Sequence, residues 1–190
     1  MKNVLVYLGS NTPTCGACTQ AARELGEGLA RRGLTLVFGG SNKGTMATLA
    51  DAALLHGGEV IGVTTTSLAR KYLYSGMTQT IIMDNLKERK DRMFELADAI
   101  VVMPGGCGTW AELFDALERN KLAKSYSHQV KPMIALNLNG YYDGVMSLLQ
   151  RSIEFGFSKP RLANLLHAAP TVDELFGWLE TISSPRPTGE

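Results

Sequence analysis

Ala99-Ile100-Val101-Val102-Met103-Pro104-Gly105-Gly106-Cys107-Gly108-Thr109-Trp110-Ala111-Glu112 runs from an unbroken apolar stretch through a glycine turn into a helical pattern carried by Leu113, Phe114, Ala116 and Leu117. A short, fully apolar run is how a strand buried on both faces of a parallel sheet reads. A strand, a glycine turn and a helix in that order leave backbone N–H groups uncovered at the positive end of the helix, which suits a phosphate. One glycine there would be explained by a positive φ angle alone. Three glycines in four residues, followed by Thr109, fit a phosphate cradle better. The turn is neither a P-loop, since no Gly-Lys-Ser/Thr follows, nor the GxGxxG dinucleotide pattern.

The same alternation extends outward in both directions. Upstream, Val4–Leu8, Leu34–Phe38, Val60–Thr64 and Thr80–Met83 read as strands, and 17–32, 44–56 and 85–97 as helices. Gly33 and Gly57-Gly58 are placed to end the first two helices, and Asp84 or Asn85 to cap the third. Downstream, the reading predicts a helix over 109–123, strands over 133–138 and 165–169, and helices over 141–155 and 172–182. Residues 65–80 show no clean period and read as a loop with one helical turn. The pattern predicts an α/β fold: a Rossmann-like, doubly wound parallel sheet flanked by helices, forming one domain over 1–182 with a loose tail over 183–190. Ligands in such folds bind beyond the carboxyl ends of the strands. Gly9-Ser10, Gly39-Gly40 and Gly105-Gly106-Cys107-Gly108 all follow strands and should line one edge.

Composition narrows the function class. A chain of 190 residues with 45% hydrophobic and 19% charged residues is an ordinary globular protein. Its net charge of +1 offers no broad basic face for nucleic acid or a membrane surface. No apolar run approaches the roughly 18 residues that span a bilayer. Three cysteines and an N-terminus unlike a signal peptide point to a reducing, cytoplasmic setting.

Two side chains carry most of the chemistry. In the helix predicted over 85–97, Leu86, Met93 and Leu96 form an apolar stripe, and Arg89 lies on that stripe. A cation there needs a partner or must snorkel to solvent, because an unpaired buried charge is costly. Glu112, or an anion bound at the glycine turn, is the natural partner. Lys90, one residue further round, is placed to reach a phosphate. Glu112 has a competing explanation, since Thr109-x-x-Glu112 has the spacing of a capping box. A carboxylate beside a phosphate pocket can equally hold a ribose diol or stabilise positive charge on a sugar. Cys15-Gly16-Ala17-Cys18 has redox spacing at a strand-to-helix junction but no other thioredoxin-like cue. Cys107 reads as a small spacer within the turn. The three histidines have no ligand spacing, so no metal is expected. Trp110, Phe114, Tyr141 and Tyr142 read as core or interface aromatics.

Pro104-Gly105-Gly106-Cys107-Gly108-Thr109-Trp110-Ala111-Glu112 resembles the PGGxGTxxE signature of the LOG ("Lonely Guy") family. Leu86-Lys87-Glu88-Arg89-Lys90 is similar to that family's companion motif ending in Arg-Lys. These proteins, often labelled lysine decarboxylases, are cytokinin riboside 5′-monophosphate phosphoribohydrolases. The resemblance covers residues 3 to 182. It implies hydrolysis of a purine nucleoside 5′-monophosphate to free base and ribose 5-phosphate, by a homodimer with shared active sites and no cofactor. It further implies Arg89 and Glu112 as the catalytic pair, with Lys90 and Gly105 to Thr109 at the nucleotide. The turns at Gly9, Ser10, Gly39 and Gly40 complete the expected binding set. Departures at Gly39-Gly40-Ser41-Asn42-Lys43-Gly44 and at Arg70-Lys71 leave the base open between adenine and a prenylated cytokinin base. The alternative is a non-catalytic nucleotide or cofactor binder on the same scaffold, comparable to molybdenum-cofactor carriers. A lysine decarboxylase is a poor third, because nothing marks a pyridoxal-phosphate lysine.

Overall fold

A computed structural model describes residues 1–125 and 128–183. Its strands are β1 (Asn3–Tyr7), β2 (Thr35–Phe38), β3 (Val60–Thr65), β4 (Gln79–Met83), β5 (Ala99–Val102), β6 (Met133–Leu136) and β7 (His167–Ala169). Its helices are α1 (Gly16–Arg31), α2 (Gly44–Leu55), α3 (Thr66–Tyr72), α4 (Leu86–Leu96), α5 (Cys107–Leu122), α6 (Asp143–Glu154) and α7 (Val172–Ser183). The strands pair in parallel in the order β4-β3-β2-β1-β5-β6-β7. The predicted doubly wound sheet is therefore present.

Alternation along each strand feeds two cores. Val4, Val6 and Leu8 join Val101 and Met103 under α1, α2 and α7, where Leu25, Leu29, Leu49, Leu175 and Phe176 cover the sheet. Leu5, Tyr7, Ile100 and Val102 face the opposite way, under Met93 and Phe94 of α4, Leu113 and Leu117 of α5, and Leu149 of α6. Such burial, at roughly 25 cal/mol per Å², drives the assembly of the layers. Helices α1 and α2 end at glycines with positive φ angles, Gly33 and Gly57. Gly33 sits at φ +64°, where its N–H donates to Ala30 and the Leu34 N–H to Leu29, closing α1 in a Schellman-type turn.

Chain order reverses direction across the sheet between β1 and β5, because β2 lies on one side of β1 and β5 on the other. A crevice opens above the carboxyl ends of these two strands. Gly9 and Gly105 leave those ends so close together that a Cβ on Gly9 would lie 3.3 Å from the Gly105 Cα.

Several boundaries differ from the sequence reading. Residues 66–72 form a full helix, α3, whose N-cap Thr65 accepts the Leu68 N–H at 3.4 Å. That helix buries none of its residues, so it carries no apolar period to read. Helix α5 begins at Cys107 rather than 109, and β6 ends at Leu136, followed by a 3-10 turn over Leu138–Gly140. Asn85 is the cap of α4, accepting the Glu88 N–H at 2.9 Å. Ser183, assigned to the tail, closes α7, and the rest of the predicted tail lies outside the described residues. Among the described residues, no helix is long and apolar enough to cross a membrane.

The α1–α2 contact depends on one small residue. A Cβ on Gly26 would overlap the Leu49 carbonyl oxygen and come within 3.0 Å of the Ala52 Cβ. Gly26→Ala should therefore destabilise the protein by about 1–3 kcal/mol through overpacking, read as a lower urea midpoint at unchanged m-value.

Candidate active site

The crevice between β1 and β5 widens into a cavity of about 820 Å³. Its floor is the set of turns that follow the strands. Gly9 and Ser10 after β1, Gly39 after β2, and Gly105 to Thr109 after β5 all line it. Gly40 does not. It turns away at φ +74° and its carbonyl accepts the Tyr74 N–H, so its part is to tie the β2 turn to the segment after α3.

Close approach explains one of the three glycines in the turn after β5. A Cβ on Gly105 would overlap the Thr109 Oγ1 and sit 2.8 Å from the Gly9 N. Gly106 and Gly108 have open space around them, so sterics alone does not require glycine there. Gly106 is the N-cap of α5, with no side-chain cap and no acidic residue in the first turn. The start of α5, Gly106 to Thr109, thus lines the cavity with the helix's positive end, an arrangement able to meet an anion. Cys107, the first helical residue, is exposed at the cavity wall.

This start also removes the capping-box explanation of Glu112. With Gly106 at the N-cap, Thr109 is the third helical residue and Glu112 the sixth, a full turn beyond any position that reaches back to the cap. The Glu112 carboxylate instead accepts a hydrogen bond from Arg89 Nη1 at 2.9 Å. Both residues are buried, at 7% and 8% exposure. Arg89 also donates from Nε to the Val63 carbonyl of β3 at 2.8 Å. Its guanidinium occupies space that Gly39 leaves free, since a Cβ on Gly39 would overlap Nη2. The arginine predicted on a buried stripe is therefore paired, and its partner is Glu112. Burial pushes the Glu112 carboxyl above the ordinary glutamate range, while Arg89 and Lys90 pull in the opposite direction.

Lys90 is the other residue that the structure keeps out of the cavity lining. Its Nζ lies 2.7 Å from Asp115 Oδ1, on the side of α4 that faces α5. Neighbouring helix positions point about 100° apart, and that rotation separates Lys90 from Arg89.

Some lining residues escaped the sequence reading. Leu68 and Tyr72 of α3 form part of the wall, together with Met46, Thr64 and the exposed Leu86. Asn139 and Tyr141 line it from the turn after β6. The Tyr141 hydroxyl donates to the Gly105 carbonyl at 2.5 Å, latching the glycine turn, whereas Tyr142 is fully buried and donates to Met103. Applying the carboxyl-end rule to β6 would have found Tyr141, since it follows that strand directly. Trp110 and Phe114 are not core residues. They are 42% and 40% exposed on α5.

Cys15 and Cys18 also line the cavity, at the start of α1. Hydrogen bonds from the Cys18 N–H and thiol lower the Cys15 pKa, and burial pushes the Cys18 thiol up to about 11.

Fold and site together define a Rossmann-like protein with a glycine turn at a helix N-terminus and a buried Arg–Glu pair lining the same cavity. The model of the family described as "possible lysine decarboxylase" matches residues 46–179. A curated cytokinin riboside 5′-monophosphate phosphoribohydrolase of Rhodococcoides fascians is 33% identical over 97% of this chain and 90% of its own. One from Arabidopsis thaliana is 32% identical over 94% and 83%, and a probable one from Oryza sativa subsp. japonica 31% over 97% and 74%. The chain belongs to this family, the LOG family. Among solved structures, the molybdenum cofactor binding protein of Rippkaea orientalis shares the fold with a TM-score of 0.71 at 20% identity, covering 97% of this chain and 99% of that one.

The buried pair makes a stability test. Arg89→Met strands a buried carboxylate and should cost about 3–5 kcal/mol in chemical denaturation. Adding Glu112→Gln should recover a large part of that loss, because the second change removes the stranded charge.

Proposed function

We propose that this protein hydrolyses the N-glycosidic bond of a purine nucleoside 5′-monophosphate, releasing the free base and ribose 5-phosphate. The observation that carries the reading is the Arg89–Glu112 pair, which lines the same cavity as the uncapped glycine turn of α5. The curated relatives' names supply the reaction class.

The 5′-phosphate rests on the amides of Gly105 to Thr109, with Gly9 and Ser10 closing the opposite side. As the base departs, C1′ becomes oxocarbenium-like, and Glu112 stabilises that positive charge from within hydrogen-bonding reach of the incoming water. Water supplies hydroxide to C1′ and one proton to the base, while the electrons of the broken bond leave with the base. Arg89 fixes the orientation of the carboxylate and favours its ionised form. Gly39 serves the reaction indirectly, by leaving room for the guanidinium. Leu68, Tyr72, Leu86 and Met46 give the cavity lining an apolar part that suits an adenine carrying a prenyl-type substituent.

The test is incubation with AMP and with isopentenyladenosine monophosphate, following free base by chromatography. Both are expected to be cleaved, the prenylated nucleotide with the higher kcat/KM. Glu112→Gln should hold the nucleotide at least as tightly as the parent protein while kcat falls at least a hundredfold. Tight binding of both nucleotides without any base release would instead favour a carrier or sensor.

The working unit is a homodimer in which the partner covers Trp110 and Phe114. These two rings stand one turn apart on α5 and expose apolar surface beside the cavity. Sedimentation velocity should give twice the chain mass, and Trp110→Glu with Phe114→Glu should give the monomer.

A further inference from the structure

Arg89 is the first of three consecutive α4 residues that each find a partner on α5. Arg89 pairs with Glu112, Lys90 with Asp115 at 2.7 Å, and Asp91 with Arg119 at 2.5 Å. Glu112, Asp115 and Arg119 recur every three or four residues, so they form one stripe of α5. The charge order is positive, positive, negative on α4 and negative, negative, positive on α5. A slip of one position would set Asp91 against Asp115, so the pattern specifies the axial register of the two helices. Met93, Phe94, Leu113 and Leu117 share one apolar cluster, and burial of that kind is non-directional.

Arg119 ties the outer part of this ladder. Its Nη2 reaches Asp91, its Nε reaches Asp115 at 2.6 Å, and its guanidinium carbon stands 5.4 Å from the centre of the Phe94 ring. Asp91 is held from its other side by Lys87 at 2.9 Å. These outer groups lie outside the cavity lining. Between 22% and 29% of each central side chain is exposed, so the pairs add little to global stability. Geometry is their larger contribution.

We infer that the Lys90–Asp115–Arg119–Asp91 ladder sets the axial position of α4 against α5 and thereby holds Arg89 on Glu112, with Arg119 as a positioning residue for the reaction proposed above. The inference rests on that reaction only for its kinetic consequence. Its structural consequence, the closeness of Arg89 to Glu112, is measurable without turnover.

The groups facing Glu112 are Arg89 and Lys90 from α4, Asp115 from its own helix and Tyr7 from β1. If α4 slides, the contribution of Arg89 weakens and the upward push of burial is less opposed. Glu112 then titrates at higher pH. Removing Arg119 alone would also change the local field, so the decisive variant is the charge-neutral Asp91→Asn/Arg119→Gln. It leaves the Lys90–Asp115 pair in place.

The experiment has two arms. In the first, carbon-13 NMR follows the Glu112 carboxyl through a pH titration in parent and variant, and its midpoint should rise in the variant. In the second, kcat should fall about tenfold with KM unchanged within twofold, since the phosphate turn is untouched. The acidic limb of the kcat–pH profile should move to higher pH, because the ionised carboxylate is the active form. Arg119→Lys, which keeps one carboxylate contact, should recover part of both effects. An unchanged Glu112 titration together with an unchanged kcat profile would overturn the inference, even if thermal stability fell. A shifted titration in a protein whose parent form releases no base would keep the ladder and discard the reaction. Should the double variant fail to fold, Arg119→Lys alone, which keeps the charge, should show a smaller change in the same two readouts, and no change in either would overturn the inference.

Discussion

Almost everything distinctive here depends on placing a guanidinium and a carboxylate together, nearly out of water. Each ion loses several kcal/mol of hydration on burial, and only close pairing with further hydrogen bonds offsets that cost. Arg89 meets the requirement with Glu112 and the Val63 carbonyl. Four elements must agree for this to happen. Helix α4 supplies the arginine, α5 the glutamate, β3 the carbonyl, and the turn after β2 the empty space at Gly39. Those elements converge because the sheet is doubly wound and its carboxyl ends share one edge.

The pair and the glycine turn divide the work of the site. Turn amides at a helix start can meet an anion through fixed dipoles. The pair supplies what a dipole cannot, a carboxylate in the lining of the same cavity. Burial and Arg89 act on that charge in opposite directions. Burial alone would favour a neutral acid, and full exposure would weaken the carboxylate's field at a developing cation. An ion pair at the cavity wall lies between these limits.

The sheet was legible because its central strands are buried on both faces and α1 and α2 end at Gly33 and Gly57, whose φ angles are positive. Arg89 was legible as a cation on an apolar stripe, although sequence spacing alone left its partner open. What stayed hidden has physical reasons. Helix α3 buries nothing, so no periodicity announces it. The start of α5 was misplaced because Gly106 caps without a side chain, and the threonine two residues into the helix resembled the cap. Tyr141 and Tyr142 looked alike in sequence, yet one faces the cavity and the other the core. Lys90 was assigned to a phosphate because its partner Asp115 lies on another helix, and no local pattern reports a charge 25 residues away.

Fold alone does not decide between catalysis and carriage. The scaffold is shared with molybdenum cofactor proteins at TM-scores of 0.71 and 0.69 and identities of 20% and 21%, a likeness that reaches no further than architecture. A carrier needs the anion site and a cavity. It has no use for a carboxylate buried against an arginine at the wall of that cavity, since a buried negative charge beside an anion site opposes the binding of a phosphate. A hydrolase gains from the same charge, because the repulsion it imposes on the bound nucleotide is relieved as C1′ becomes positive. Glu112 is therefore a liability for retention and an advantage for turnover. Its presence, with Arg89 and a spacious Gly39 maintained around it, is the physical argument for an enzyme.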